Sequence, residues 1–516
     1  MLDPFHDECG IAAVYHLGAA SEGKETVRLL VDMLIDLQNR GQLAAGISTY
    51  NSTRCSLLDT FKDVGSVSDV FRLKDAARYR ELVEEYAGEA GIGHTRYATC
   101  GRDDPAYAQP FERHHGRPWK WFAFGFNGNV ANFTQVRSDL ISKGYCLVRD
   151  TDTELLMHHL SYALRAQEKP DFMTVFGQLS QAVDGAYSLA FLNGEGDMVV
   201  ARDPYGFRPL CYGVKDDVFA AASESTALER LGFDNIAEVE PGELVHVTRQ
   251  SGPQIFRFAE SKRKAFCFFE YVYFANASSR LNDRSVYMTR CNLGKALARD
   301  EQVATDPRDC VAVAVPDTAR PACDAMANEL SIPSREGLMR NRYLGRSFIE
   351  GANRSEVVRR KFTPIPEVLS GKRVFLVEDS VVRSTTLRVI VRLLREQGGA
   401  KEVHVRVACP PIMAPCGYGI DMSTVSELFA PKHFAEPCRG DLPADGLQKA
   451  EQDLGADSLR YLSVDALTNA IGLDENKLCL GCLIGKYPTV WGGKTYEEAL
   501  RTRDDPDLRR TYERIS

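Results

Sequence analysis

The 516-residue sequence lacks the features that would assign it to a membrane, an export pathway or a nucleic acid. No apolar run approaches the length needed to cross a bilayer, so no role in a membrane is expected. The first residues, MLDPFHDE, have neither the basic start nor the apolar segment of a secretory signal. The net charge is −8 and no basic patch stands out, which argues against a nucleic-acid partner. These absences favour a cytoplasmic protein.

The composition is typical of a globular enzyme with two or more domains. Hydrophobic residues make up 44% and charged residues 26% of the chain, and the length allows each domain its own core. Neither internal repeats nor low-complexity tracts are present. Fourteen cysteines without an export signal indicate a reducing compartment, where thiols serve metals or catalysis more often than disulfides.

The apolar pattern changes near residue 260. The first part consists of short apolar strands and glycine-rich turns, as at 121–129 and 242–247, with helical patterns over 26–40 and 153–164. The charged segment 258–264 has no hydrophobic periodicity and is interpreted as a linker.

Strands and helices alternate after the linker. Short apolar runs at 311–315 and 374–378 are typical of buried parallel strands, and 403–407 alternates like a strand. Between them, Leu387, Ile390, Val391 and Leu394 fall on one face of a helix. This order predicts a βαβ unit and an α/β domain. The polar segment from about residue 425 is expected to wrap around this second domain.

Five motifs follow one another in the first part of the chain. They are ECGIAAVY around Cys9, RGQLAAGI at 40–47, GIGHTRYAT at 91–99, FNGNVANF at 126–133 and TDTE at 151–154. Together they resemble the class II, N-terminal-nucleophile glutamine amidotransferase domain. The resemblance implies an α+β sandwich over residues 9–257, with residues 1–8 as a propeptide.

The resemblance implies how glutamine would be hydrolysed. Cys9 would be the nucleophile, and removal of residues 1–8 would give it an α-amine that can take the thiol proton. The Asn127 side chain and the Gly128 N–H would hold the tetrahedral oxyanion.

The resemblance also implies which groups would recognise glutamine. Arg96 would bind its carboxylate and Asp152 its ammonium group. Arg40 is a further candidate for glutamine binding. For Arg40 and for His94, a role in supporting a loop is an equally good interpretation.

A second group of motifs begins with VFLVEDSVVRSTT at 374–386, an apolar strand followed by a hydroxyl-rich loop and a helix. A helix N-terminus behind a strand suits a phosphate, and two carboxylates at the strand end can hold ribose hydroxyls or Mg²⁺. Alone, such an acidic pair is more often a helix cap. Here it resembles the type I phosphoribosyltransferase motif. The implied binding residues are Glu378, Asp379, Ser380, Val381, Val382, Arg383, Ser384, Thr385 and Thr386, and Thr318 would join Glu378 and Asp379 around Mg²⁺.

Further matches at 271–275, 285–290, 313–318, 340–348 and 418–422 occur in the order found in one family. Nearly the whole chain, from Cys9 to about Gly492, resembles glutamine phosphoribosylpyrophosphate amidotransferases. The family implies an α/β parallel-sheet phosphoribosyltransferase domain over residues 265–424 and an extension over 425–516. It also implies glutamine and phosphoribosyl pyrophosphate as substrates, the first step of purine synthesis, a mobile loop at NRYLGRSF and a homo-oligomer.

The second half departs from the family pattern at four places. Glu378 stands where Asp is usual, Ser384 where Gly is usual, and Arg320 where a small residue is expected. Residues 276–279 read Asn-Ala-Ser-Ser instead of Arg-Pro-Asp-Ser. Ser384 adds a side chain at a position where the backbone could need a positive φ.

These departures leave an alternative open: an enzyme that aminates a different activated sugar phosphate in a specialised pathway. A regulatory subunit without activity conflicts with the intact set of glutamine residues. A glucosamine-phosphate synthase would share the first half but lack the EDSVVRSTT loop, so that function is disfavoured.

Four cysteines form a further candidate site. Cys479 and Cys482 are a CxxC pair, which alone could be zinc, a redox pair or neither. The sequences that flank these two cysteines and those that flank Cys267 and Cys416 resemble the [4Fe–4S] ligand sites in the cluster-bearing branch of the family. The expected cofactors are thus a [4Fe–4S] cluster and Mg²⁺, and a zinc Cys₄ site is the alternative for the quartet.

Overall fold

A computed structural model describes residues 9–18, 23–97, 104–149, 151–341, 359–420, 422 and 424–503. The propeptide predicted at 1–8 and nearly all of the loop predicted at 340–348 lie outside these residues. Within the described part of the chain, no helix is long and apolar enough to cross a membrane.

Two antiparallel sheets form the centre of the first half. The strands are β1 (Gly10–His16), β2 (Ala44–Tyr50), β3 (Leu58–Val64), β4 (Ala90–Arg96), β5 (Phe111–Arg113), β6 (Phe122–Val130), β7 (Gly185–Asn193), β8 (Met198–Arg202), β9 (Cys211–Lys215), β10 (Val218–Ala222), β11 (Ile236–Glu238), β12 (Glu243–Thr248) and β13 (Gly252–Arg257). One sheet has the order β11-β9-β10-β1-β4-β2-β3 and the other β13-β12-β8-β7-β6-β5.

Helices cover the outer faces of both sheets. They are α1 (Lys24–Asp36), α2 (Val67–Val70), α3 (Ala76–Glu85), α4 (Phe133–Ser142), α5 (Asp152–Ala163), α6 (Phe172–Ala182) and α7 (Thr226–Glu229). Strand β1 shows why the layers form: Ile11, Ala13 and Tyr15 pack between the sheets, while Ala12 and Val14 face α1. Both faces of the strand are buried, so the strand is apolar throughout. The predicted α+β sandwich is confirmed.

A four-stranded parallel sheet forms the centre of the second half. Its order is β17 (Cys310–Ala314), β20 (Arg373–Glu378), β21 (Glu402–Val407) and β22 (Ser458–Tyr461). The short strands β14 (Phe266–Cys267), β15 (Arg280–Leu281), β16 (Arg284–Ser285), β18 (Leu338–Arg340), β19 (Phe362–Pro364) and β23 (Leu478–Cys479) lie outside this sheet.

The helices of the second half are α8 (Val286–Arg299), α9 (Arg320–Glu329), α10 (Pro366–Leu369), α11 (Thr385–Glu396), α12 (Ala444–Leu454), α13 (Val464–Ile471), α14 (Gly481–Ile484) and α15 (Val490–Arg501). The side chains of Leu387, Ile390, Val391 and Leu394 on α11 are all buried, as their spacing predicted. The predicted strands at 311–315, 374–378 and 403–407 are likewise present.

The segment after residue 425 differs from its prediction. It does more than wrap around the second domain, because β22 pairs with β21 and completes the parallel sheet. Strand β23 pairs in parallel with β14, which joins the extension to the beginning of the second half. Strand β22 reads SLRY and has little apolar character, so the sequence did not reveal it.

Candidate active sites and the cysteine pocket

One pocket in the first half brings together four of the predicted residues: Cys9, Arg96, Gly128 and Asp152. Strand pairing explains why Cys9 and Arg96 are neighbours. Gly10 of β1 lies opposite Thr95 of β4, so Cys9 just before β1 is next to Arg96 at the end of β4. The other lining residues are Tyr97, Tyr107, Gln109, Phe111, Phe126, Thr151 and Thr153.

The TDTE motif builds the start of α5. Thr151 is the N-cap, and its hydroxyl accepts a hydrogen bond from the Glu154 N–H at 3.3 Å. Glu154 accepts from the backbone N–H groups of Val148 and Arg149 at 2.8 and 2.7 Å. These contacts fix the approach to the helix, and they place Asp152 at its first residue, in the wall of the pocket.

Burial raises the pKa of the Cys9 thiol, and its Sγ lies 3.7 Å from the Tyr97 carbonyl oxygen. A thiol with a raised pKa is protonated at neutral pH and needs a base before it can attack an amide. An α-amine on Cys9 would be such a base. Because residues 1–8 lie outside the described residues, their removal stays a prediction.

The strand β6 carries the predicted oxyanion hole. Gly128 has a φ of +151°, and a Cβ there would lie 1.9 Å from the Ala186 carbonyl oxygen, so only glycine fits. The side chain of Asn127 is buried, and its Nδ2 has no hydrogen-bond partner within the described residues. A buried donor of this kind is costly unless a ligand completes it. Asn127 does not itself line the pocket, although both of its neighbours do.

His94 and Arg40 support the site from behind. The His94 ring is buried, its pKa is lowered by burial to about 3, and Nε2 lies 3.1 Å from the Phe126 carbonyl oxygen. The ring is therefore neutral and ties β4 to β6 beside Asn127.

The structure does not bring Arg40 into the glutamine pocket. Its guanidinium is held by Glu224 and Glu270 at 2.7 and 2.6 Å, and its Nε donates to the Cys9 carbonyl oxygen at 3.3 Å. These contacts correct the expected glutamine-binding role. They favour the supporting role that the sequence had left open.

Glutamine binding is expected to weaken in acid because of Asp152. Burial raises the pKa of this carboxyl to about 6, and only its ionised form can accept the substrate ammonium group. Below that pKa, the dissociation constant for glutamine should rise by about tenfold per pH unit. Calorimetric titration of the Cys9→Ala variant, which cannot turn glutamine over, measures this directly. A dissociation constant that stays flat across the acid range would contradict the role of Asp152.

The second predicted site lies at the carboxyl edge of the parallel sheet. β17 and β20 are neighbours, and the Val315 N–H donates to the Val377 carbonyl oxygen at 2.9 Å, so the turn at 316–319 and the loop at 379–384 leave the same edge. Ligands bind at this edge in open parallel sheets. Thr318 lies in the first of these loops, and Glu378 and Asp379 begin the second.

The acidic pair at the end of β20 does not cap the helix that follows. The N-cap of α11 is Ser384, not the acidic pair. The Ser380 hydroxyl donates to Asp379 Oδ1 at 2.6 Å, while Val381 and Val382 are buried beneath the loop. The Arg383 side chain is mostly buried, and its guanidinium contacts Glu427 at 3.0 Å.

Ser384 does not strain the loop. Its φ of −81° and ψ of −7° lie in the ordinary right-handed region, so a side chain is tolerated and the expected need for glycine is corrected. Arg320 begins α9, and its guanidinium contacts Glu336 at 2.9 Å and Asp317 at 3.6 Å.

The altered segment 276–279 lies where the two halves meet. The Asn276 N–H and the Ser279 hydroxyl both donate to Glu224 Oε2 at 2.7 Å. Glu224 also binds Arg40, so this segment is connected to the support of Cys9.

The four predicted cysteines line one pocket. Cys267 on β14 lies opposite Cys479 on β23, Cys482 follows on α14, and Cys416 comes from the loop after β21. Burial raises the pKa of the Cys267 thiol to about 11 and is also the main cause of the raised pKa values of Cys479 and Cys482. Repulsion between neighbouring thiolates adds to the increase. Within the described residues, no group of three or more His, Cys, Asp or Glu side chains is arranged to hold a single metal ion.

Several pocket residues had not been singled out from the sequence. Tyr97, Thr151 and Thr153 stand inside the recognised motifs and could have been inferred from them. Tyr107, Gln109 and Phe111 come from a segment without a motif. Gln109 binds β6 from this segment, since its Oε1 accepts from the Phe126 N–H at 2.8 Å.

Comparisons with known proteins agree with this arrangement. A profile of the glutamine amidotransferase domain matches residues 94–230. An amidophosphoribosyltransferase of Methanothermobacter thermautotrophicus is 38% identical over 96% of this chain and 98% of its own length. That of Bacillus subtilis is 35% identical over 94% of each chain. The chain belongs to the amidophosphoribosyltransferase family.

Solved structures agree with the family. The glutamine phosphoribosylpyrophosphate amidotransferase of B. subtilis, complexed with ADP and GMP, has a TM-score of 0.79 and 34% identity, and the match covers 93% of this chain and 97% of that one. A structure described as the allosteric regulatory enzyme of purine biosynthesis has a TM-score of 0.81 and 34% identity, covering 94% and 98%. The predicted family, fold class and enzyme class are confirmed.

Proposed function

We propose that this chain transfers ammonia from glutamine to phosphoribosyl pyrophosphate. With water, the products are 5-phosphoribosylamine, glutamate and pyrophosphate, the first step of purine synthesis. The observation that carries the proposal is the pairing of two sites in one chain. One pocket joins Cys9, Arg96 and Asp152, and a loop and then a helix follow β20 at the carboxyl edge of a parallel sheet.

In the glutamine site, Cys9 attacks the side-chain amide and its α-amine takes the thiol proton. The oxyanion that forms accepts hydrogen bonds from Asn127 Nδ2 and the Gly128 N–H. Ammonia leaves with that proton, and water then hydrolyses the thioester to glutamate. Arg96 and Asp152, in the pocket wall, hold the two ends of the amino acid.

In the ribose phosphate site, the backbone N–H groups of residues 381–386 bind the 5-phosphate at the start of α11. Glu378 and Asp379 accept hydrogen bonds from the ribose hydroxyls. Ammonia attacks the anomeric carbon as the bond to pyrophosphate breaks. Oxygen ligands of the kind offered by Thr318, Glu378 and Asp379 suit Mg²⁺, which when bound would neutralise the departing pyrophosphate.

A product assay tests the proposal and separates it from the alternative acceptor. With glutamine, phosphoribosyl pyrophosphate and Mg²⁺, the protein should release pyrophosphate. Asp379→Asn should lower the transferase kcat/KM by about 1–3 kcal/mol of transition-state stabilisation, the scale of a charged hydrogen bond. Glutamine hydrolysis by that variant is the internal control and should persist. Glutaminase activity without any pyrophosphate release in the wild type would favour a different sugar phosphate.

We further propose a [4Fe–4S] cluster in the cysteine pocket. Support comes from the four thiols that line it and from the burial of Cys267, Cys479 and Cys482, which raises their pKa values and keeps these three thiols protonated unless a cationic centre binds them. Protein purified without oxygen should be brown and contain about four irons per chain. Stoichiometric zinc without iron would instead favour the alternative, a zinc Cys₄ site.

We also propose that the protein is a cytoplasmic homo-oligomer. Light scattering of the purified protein measures the oligomeric state.

A further inference from the structure

Residues 416–420, here called the 416–420 turn, lie between the cysteine pocket and the glutamine site. The Gly417 carbonyl oxygen accepts a hydrogen bond from Asn129 Nδ2 at 3.0 Å. Asn129 directly follows Gly128 on β6, so this bond reaches the strand that carries the predicted oxyanion hole. The bond joins two segments of the chain that are far apart in sequence.

Gly419 presses on the same strand. Its φ is +102°, and a Cβ at this position would lie 3.0 Å from the carbonyl carbon of Gly128 and 3.1 Å from its oxygen. The turn therefore packs directly against the peptide group that follows the Gly128 N–H. The predicted donor, the Gly128 N–H, belongs to the same residue. Because an oxyanion donor must lie within about 2.7–3.1 Å of the oxyanion, small shifts of Gly128 matter.

The other side of the turn is fixed to the cysteine pocket. Cys416 and Tyr418 both line that pocket, and the Tyr418 N–H donates to the Cys416 Sγ at 3.3 Å. The Tyr418 ring stacks on Phe207 with centroids 4.1 Å apart, and its hydroxyl lies 3.0 Å from the Thr489 hydroxyl. The turn and the cysteine pocket therefore share the side chains of Cys416 and Tyr418.

A chain of buried charges connects the turn to the nucleophile as well. Arg208 Nη2 donates to the Tyr418 carbonyl oxygen at 2.6 Å, and its Nη1 lies 3.6 Å from Glu270. Glu270 binds Arg40 at 2.6 Å, and Arg40 donates to the Cys9 carbonyl oxygen. All three charged side chains are at most 2% exposed, so water does not screen these contacts.

We propose that the 416–420 turn positions the oxyanion hole and couples it to the cysteine pocket. Asn129 and Gly419 are positioning residues in this coupling, since neither lines the glutamine pocket. The proposal rests on the proposed function, because it assumes that Asn127 and Gly128 stabilise the oxyanion. The proposal further states that a change in the cysteine pocket, such as the loss of one thiol, alters the rate of glutamine hydrolysis and not only the stability of the fold.

Binding of an aldehyde analogue tests the positioning role. Glutamate γ-semialdehyde adds to Cys9 to give a tetrahedral adduct that needs the oxyanion hole, whereas the product glutamate does not. Gly419→Ala and Asn129→Ala should each lower the glutamine kcat and the aldehyde affinity by about tenfold or more, with glutamate affinity unchanged. Gly493→Ala, whose added methyl group meets open space, is the matched control and should change neither.

The outcomes separate the possible failures. If the wild type does not hydrolyse glutamine, the proposed function fails. If it does, and both variants bind the aldehyde like the wild type, the positioning role is overturned. Equal losses for aldehyde and glutamate would also overturn it, because they indicate general distortion. Asn129 is only half-buried, so Asn129→Ala decides the matter if Gly419→Ala does not fold.

The coupling has a separate test. Cys416→Ser keeps an acceptor for the Tyr418 N–H but removes one thiol from the pocket. It should reproduce the selective loss of aldehyde affinity while glutamate still binds. Unchanged aldehyde affinity in this variant would overturn the coupling to the pocket.

Discussion

Cys9→Ala is expected to lower glutamine-dependent product formation by a factor on the order of 10⁴ or more, as removal of a nucleophile does in other covalent enzymes. The same variant should still form product when ammonium salts replace glutamine. The physical reason is the separation of the two sites: Cys9 precedes β1, whereas the loop at 379–384 follows β20 in another sheet. Pyrophosphate release measured with each nitrogen source gives both activities from one preparation.

The ammonia-dependent activity is also the control for folding of this variant. Cys55→Ala offers a second control, because Cys55 is an exposed cysteine outside the glutamine pocket. It should leave both activities at the wild-type level. Loss of the ammonia-dependent reaction in a folded Cys9→Ala protein would contradict the account of two sites joined by ammonia transfer.

Asn127→Ala is expected to lower the glutamine kcat by about 10²–10³, the effect of removing one oxyanion donor. Asn127 Nδ2 is buried without a hydrogen-bond partner within the described residues, so it is available to the oxyanion and to little else. Steady-state kinetics should show a fall in kcat with KM for glutamine nearly unchanged, because Arg96 and Asp152 still bind the substrate.

The removal of Asn127 also has an expected effect on stability. A buried donor that lacks a partner destabilises the fold, so its deletion should cost little free energy of unfolding. Thermal unfolding of wild type and variant measures this. A large fall in the melting temperature with an equal loss of ammonia-dependent activity would show that Asn127 supports the fold and not the reaction.

The elements with strong local patterns could be predicted from the sequence. The helix around Leu387 is buried on the face that its spacing indicated, and the strands at 311–315 and 374–378 are largely buried, as their apolar runs indicated. The glutamine motifs were equally informative, since Arg96, Gly128 and Asp152 meet Cys9 in one pocket. These features follow from short-range periodicity and from motifs whose residues act together.

Other features depended on contacts between distant segments. The strand β22 has too little apolar character to predict, and pairing with β21 makes it a strand. Arg40 belongs to a glutamine motif by sequence, but two carboxylates from other elements hold it behind the site. Whether Ser384 strained its loop could be decided only from its backbone angles.

By itself, the sequence determined the family, the two-part α/β organisation and the residue types of both sites, because periodic burial and reactive groups are encoded locally. Only the tertiary structure decided that residues 416–420 lie between the cysteine pocket and β6 and that this turn packs against Gly128. Those contacts join residues up to about 290 positions apart. The partners of a buried charge such as Arg208 likewise depend on how whole domains pack.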